Sequence, residues 1–154
     1  MYHSHPNSIE TALGFDFGLS KIGVAFGQCI TQTASPVEIL KAKEGEPNWL
    51  EVAALLKKFK PQALVIGLPL NMDESEILPG VLPVLNYLKD KNQFIALGSA
   101  SKNARPILEK TNIMHFFDAI VDGNDVSNAK PDPEVFLRAA QLVGVRSEEH
   151  TSEL

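Results

Sequence analysis

Residues 12–28 read ALGFDFGLSKIGVAFGQ, and the choice of fold starts from this stretch. The apolar run 12–17 is interrupted only by Asp16, and IGVAFGQ over 22–28 is a second short run. A turn at Gly18–Lys21 makes the pair a hairpin-like start of two strands. A carboxylate inside so apolar a strand is costly unless it is paired, hydrogen-bonded or metal-bound. Gly18 lets the backbone turn close to whatever Asp16 holds. The bland alternative is a turn-capping aspartate, and spacing alone leaves the two readings level.

Outward from the hairpin, TQTASPVEIL reads as a loop leading to a short third strand around Val37–Leu40, and KAKEGEP as a polar turn. Between Pro47 and Lys60 the residues Trp49, Leu50, Ala53, Leu56 and Phe59 recur at helical spacing. Pro47 suits a first helical turn and Pro61 forbids continuation. ALVIGLPL, residues 63–70, reads as a buried strand running into a Gly-Pro bend. The first half is therefore strand, strand, strand, helix, strand.

The second half alternates differently. Helices are expected at Pro79–Lys89, Asn103–Lys110 and Pro133–Val143, with strands FIALGS at 94–99 and FDAIVD at 117–122. That is the alternation of a parallel α/β sheet. NMDESEILPG, residues 71–80, is the short polar link between the halves. Neither half has the ~100 residues a domain usually needs for its own core. Truncated sheets leave unpaired edges, so marginal stability or aggregation is expected, with the two sheets docking as best they can.

Bulk properties narrow the function classes. Net charge is −5 over 154 residues, which gives no support to a generally basic nucleic-acid-binding surface. Lys57, Lys58 and Lys60 cluster, and read most simply as the solvated end of a helix. The single cysteine, Cys29, allows no internal disulfide and suits a reducing compartment. With neither a membrane-length apolar run nor a secretory start, a cytoplasmic protein with no membrane partner is expected.

GFDFG with KIGVA, followed about 50 residues on by VIGLPLNMD, resembles the YqgF/RuvX family over roughly residues 11–73. The resemblance implies an RNase H-like fold, Mg²⁺ or Mn²⁺ as cofactor, and phosphodiester hydrolysis in 5′ maturation of precursor 16S ribosomal RNA. Members are also described as Holliday junction resolvases. By position, Asp16 matches the family's first-strand catalytic aspartate and metal ligand, and Lys21 a basic position of the same motif. In such enzymes divalent metals activate water and stabilise the leaving oxygen. The match stops after Asp73: Glu74 stands where the family has glycine, and the later acidic motifs are not found.

A second pattern lies in the other half. A serine-rich strand end, GSASKN, is followed about 30 residues later by AKPDPEVF, where Lys130 precedes a helix. Hydroxyls and backbone N–H groups there suit an anion site, against the plain reading of a capped helix and a solvated lysine. Residues 77–145 resemble β-phosphoglucomutase and its relatives in the haloacid dehalogenase superfamily, with a Rossmann-like core. The resemblance implies phosphoryl transfer on a sugar phosphate: Ser99 and Lys130 as catalytic groups, and Ser99, Ser101, Lys102, Asn103 and Lys130 as the phosphate-binding set. The Asp-x-Asp pair of that superfamily occurs nowhere in the chain.

The last nine residues, RSEEHTSEL, resemble a translated sequencing-library adapter. This implies a reading frame that ran off a DNA fragment, and a tail that is disordered or weakly helical. The sequence thus reads as an α/β chimera: residues 1–75 a truncated RNase H-like domain, 76–145 a truncated haloacid dehalogenase-like core, and 146–154 a tail. The chain is expected to lack the full active site of either parent, with the mutase-like activity as the alternative to the nuclease-like one.

Overall fold

In the computed structural model, residues 9–68, 80–128 and 134–151 are described; side chains are described as far as residue 144. The link at 71–79, Lys130, and the last three residues of the adapter-like tail lie outside the described residues.

Seven strands form one sheet in the order β4-β3-β2-β1-β5-β6-β7. They are β1 Thr11–Phe17, β2 Lys21–Gln28, β3 Thr33–Lys43, β4 Glu46–Pro47, β5 Ala63–Gly67, β6 Phe94–Gly98 and β7 Ala119–Val121. The first three are antiparallel neighbours, whereas β1, β5, β6 and β7 run parallel to one another. The described residues also form four α-helices, α1 Trp49–Phe59, α2 Val81–Asp90, α3 Ala104–Lys110 and α4 Glu134–Thr151, and a short 3-10 turn at Met114–Phe116. The fold is mixed α/β, as expected. The two segments do not make two docked sheets, however. β5 from the first pairs in parallel with β6 from the second, Ala63 beside Phe94 through Ile66 beside Leu97.

Two local expectations change. The stretch TQTASPVEIL is strand: β3 spans 11 residues and pairs with β2 along its length. Pro36 is tolerated because β3 lies next to the sheet edge and its pairing shifts register beside that proline. The turn after β3 places Glu44 at φ 52 and Gly45 at φ 83, the left-handed pair of a tight hairpin. Pro47 consequently belongs to β4, opposite Ala42, and α1 starts two residues later with the Asn48 side chain accepting the Leu50 N–H at 3.0 Å. That cap satisfies a donor the first helical turn would otherwise leave open. At the other end of the chain, the backbone of α4 continues past Val143 into the adapter-like tail as far as Thr151.

Strand alternation divides the core between the faces. Leu13, Phe15 and Phe17 of β1 face one side, with Ile66, Leu97 and the helices α1 to α3. Trp49 of α1 stacks at 4.6 Å on Tyr87 of α2, joining the two segments above the sheet. Ala12, Val65, Ala96 and Val121 face the other side, under Ala139, Ala140 and Val143 of α4. This second face is made of small residues, so α4 seats close. A Cβ on Gly14 would fall 2.5 Å from the Phe136 ring, and one on Gly27 would also strike it. Close packing of this kind resists even small increases in volume.

Candidate functional site

Parallel pairing carries the candidate residues to one edge of the sheet. Asp16 is the next-to-last residue of β1 and is flanked by Gly23 on β2 and Gly67 on β5. Alternation turns it away from the Phe15 and Phe17 core, onto the α4 face, where it is exposed. Two glycine neighbours leave room over the carboxylate. Gly18 closes the strand end, since a Cβ there would come within 2.9 Å of the Lys21 carbonyl oxygen. An open groove of about 660 Å³ runs over this face, bordered by Gly14, Asp16, Gly23, Glu38, Gly67 and Phe136. Volumes of this order suit a small-molecule or nucleotide-sized ligand.

Glu38 is the carboxylate that sequence reasoning passed over. Its signal was present, a charge inside the apolar run VEIL, but nothing in the spacing tied it to Asp16. Glu38 borders the groove, but its register partner is the core residue Val24, whereas Asp16 lies in the row of Gly23 and Ile39. Mg²⁺ is commonly held through one or two carboxylates with substrate oxygens and water completing its shell. Asp16 alone, on the open face, fits one ligand position of a hydrated divalent cation. A two-metal centre asks for more, and among the described residues no group of three or more histidine, cysteine or acidic side chains could hold a metal ion.

Ser99 follows β6 directly and lies on the same sheet edge as Asp16, with β5 between them. Two strand spacings separate the two residues, roughly 10 Å. Ser99 is buried; its N–H donates to the Val121 carbonyl at 2.9 Å, and its Oγ accepts the Ser101 N–H at 3.2 Å. The Ser101 hydroxyl in turn accepts the Asn103 N–H at 3.2 Å. Lys102 and Asn103 are exposed, and no side-chain cap bond closes the start of α3. The structure thus brings Ser99, Ser101, Lys102 and Asn103 into one loop.

An ion pair with one buried partner anchors that loop and was not foreseen. Asp122, after β7, is 2% exposed and meets the Arg105 Nε at 3.1 Å. Its Oδ1 also accepts the Asn124 N–H at 2.8 Å, and the Asn124 amide donates to the Lys102 carbonyl at 3.1 Å. Asp125 accepts the Asp122 N–H, and this bond, helped by the Arg105 charge, holds its carboxyl below the ordinary carboxylate range. Glu134 at the start of α4 accepts the N–H groups of Ser127 and Asn128 at 3.0 and 2.9 Å, which likewise pull its carboxyl down. Cys29 is half-buried, and burial pushes its thiol up. That disfavours the reactive thiolate.

No helix among the described residues is long and apolar enough to cross a membrane. The profile of the family RuvX: Holliday junction resolvase matches residues 10–79. Over 71 residues the chain is 51% identical to the "Putative pre-16S rRNA nuclease" of Nitrosococcus oceani, covering 46% of this chain and 47% of that protein. Over 66 residues it is 56% identical to the protein of the same name from Klebsiella pneumoniae, covering 43% and 48%. Among solved structures, a β-phosphoglucomutase from Clostridium difficile is 40% identical over 47% of this chain and 32% of that chain, with a TM-score of 0.43. The chain spans about half the length of the curated relatives it matches. Its N-terminal segment, residues 10–79, is thus similar to the RuvX family, over less than half of the chain.

Proposed function

We propose that the chemistry built into this chain is metal-assisted phosphodiester hydrolysis centred on Asp16, and that the chain holds only part of it. The observation that carries this reading is the placement of Asp16: an exposed carboxylate near the end of a central strand, between two glycines, at the border of an open groove. Its substrate class is a nucleic-acid backbone, specifically precursor 16S ribosomal RNA, in keeping with the names of the relatives. Asp16 would hold one Mg²⁺ or Mn²⁺ ion, with water and substrate oxygens completing its shell. Such an ion supplies charge neutralisation at a phosphodiester.

On this reading the chain is a fusion. Residues 1–75 derive from the nuclease-type parent, 76–145 from a β-phosphoglucomutase-type parent, and 146–154 from neither. The chain is cytoplasmic, and turnover is at background because one carboxylate does not complete a two-metal centre. Manganese binding tests the site apart from turnover. Water-proton relaxation enhancement by Mn²⁺ should report weak binding that Asp16→Asn abolishes, and equal enhancement in both proteins would remove Asp16 from the site.

The alternative is phosphoryl transfer on a sugar phosphate. It draws on the position of Ser99 at the end of β6, although the Ser99 Oγ already accepts a backbone N–H from Ser101. Conversion of β-glucose 1-phosphate, lost in Lys130→Ala, would favour it.

A further inference from the structure

We propose that Lys21 and Lys41 form a backbone-phosphate clamp beside Asp16, so that a nucleic-acid strand crosses the sheet face along β2 and β3. This rests on the nuclease-type reading of the groove and adds the residues that would hold the polymer.

The pairing register places these lysines directly opposite each other on β2 and β3. Strand alternation fixes their side. Ile22 and Leu40, the next residues, are fully buried in the core under α1 and α2, so Lys21 and Lys41 stand on the opposite face. That is the face of Asp16, Gly23 and Ile39, which follow one another across three strands and all border the groove. Lys21 is the diagonal neighbour of Asp16, about 7–8 Å away by strand geometry. Lys43 continues the row, although its register partner on β4 is the acidic Glu46.

Like charges directly opposite on neighbouring strands repel and cost stability. The ion pairs of Lys89 with Asp118 and of Arg105 with Asp122 and Asp125 involve neither lysine, and the carboxylate nearest them by register is Asp16, on the diagonal of Lys21. Both lysines are exposed on a chain whose net charge is −5, so the pair is a local reversal of the protein's overall sign. An anion that bridges them relieves the repulsion. The neighbour toward the groove is Ile39, 68% exposed and opposite Gly23, a flat apolar step suited to a sugar or base. One row at the lysines and the next at Asp16 lie two residues apart along the strand, about 7 Å. This is comparable to the separation of successive phosphates in an extended strand. With one phosphate on the lysine row, the next phosphate of the same strand would reach the Asp16 row, where a divalent ion held by Asp16 would offset the carboxylate; a single small anion spans only one row.

The test is fluorescence anisotropy with a labelled single-stranded RNA and a DNA of the same sequence, without divalent metal, on the full chain. Lys21→Ala with Lys41→Ala together should weaken binding about ten-fold at low salt and make the log–log salt dependence shallower by about 1.4 units, the single-strand value for two phosphate contacts. Lys57→Ala, on α1 over the other face, should change affinity less than two-fold. Equal loss for RNA and DNA assigns the contact to the shared backbone, and loss for RNA alone assigns it to a ribose-dependent path over the same lysines. If the parent binds and the double variant binds equally well, or loses no more than Lys57→Ala, the clamp is wrong while the Asp16 reading stands on its manganese test. If the parent binds neither polymer at low salt, the clamp is wrong whatever manganese does.

Discussion

The Phe136 ring of α4 lies over Gly14 of β1 so closely that a Cβ on Gly14 would fall 2.5 Å from it. A residue from the C-terminal part of the chain thus rests on the strand that carries Asp16. Gly14→Val should therefore destabilise the protein by about 1–3 kcal/mol through overpacking. Combining it with Phe136→Ala should recover part of that loss. Chemical denaturation of the four proteins in a double-mutant cycle measures the coupling. Strict additivity would mean that the two residues do not meet.

The two segments should also unfold together. Trp49, the only tryptophan, lies before the 71–79 link and packs in a tilted pair against Tyr87, which follows it. Leu85 is fully buried beside them in the shared core. Leu85→Ala should cost about 2–5 kcal/mol. It should shift Trp49 fluorescence and far-ultraviolet circular dichroism transitions by the same amount. Separate transitions would restore two independent folding units. The expectation of marginal stability came from truncated sheets. Parallel pairing of β5 with β6 removes that ground at the boundary, and a melt decides the rest.

Arg105 neutralises a carboxylate that is almost wholly buried, and the arginine itself is about half exposed. Its removal strands Asp122, at a cost of about 1–3 kcal/mol once solvent access to the arginine side is counted. Arg105→Ala should lower the melting temperature, and Arg105→Lys should restore only part of it, because lysine lacks the forked geometry. Hydrogen exchange at Ser101 and Gly123, whose N–H groups close this loop, should quicken in Arg105→Ala.

Acid should expose the two lowered carboxyls. Asp125 and Glu134 both titrate below their ordinary values when folded. Their contribution is therefore complete above the unfolded-state values, roughly pH 4. It is lost as pH falls through the lower folded-state values. Asp125→Asn with Glu134→Gln should flatten the acid limb of the melting temperature below about pH 4 and leave its slope near neutrality alone. An unchanged acid limb would show that these hydrogen bonds carry no linkage.

How far the sequence could be read is plain from particular residues. Asp16 was legible because a charge in an apolar strand next to Gly18 needs a reason, and the helices because Trp49–Phe59 and Val81–Asp90 keep a helical period. β3 was read too short because Pro36 and the register shift beside it break the alternation that announces a strand. Glu38, Lys41 and Asp122 were missed for one reason: each acquires its meaning from pairing or packing with a distant residue. The same holds for the shared sheet. Local pattern shows that β5 and β6 are buried strands, but only the assembled fold shows that they are neighbours.

The most direct measurement is cleavage of a precursor 16S ribosomal RNA carrying its 5′ leader, with Mn²⁺ present, by the chain and by Asp16→Asn. An incomplete carboxylate set predicts that both cleave at the rate of the protein-free control. Mn²⁺-dependent cleavage by the chain that Asp16→Asn abolishes would contradict it, and would mean that the groove beside Asp16 is a working nuclease centre.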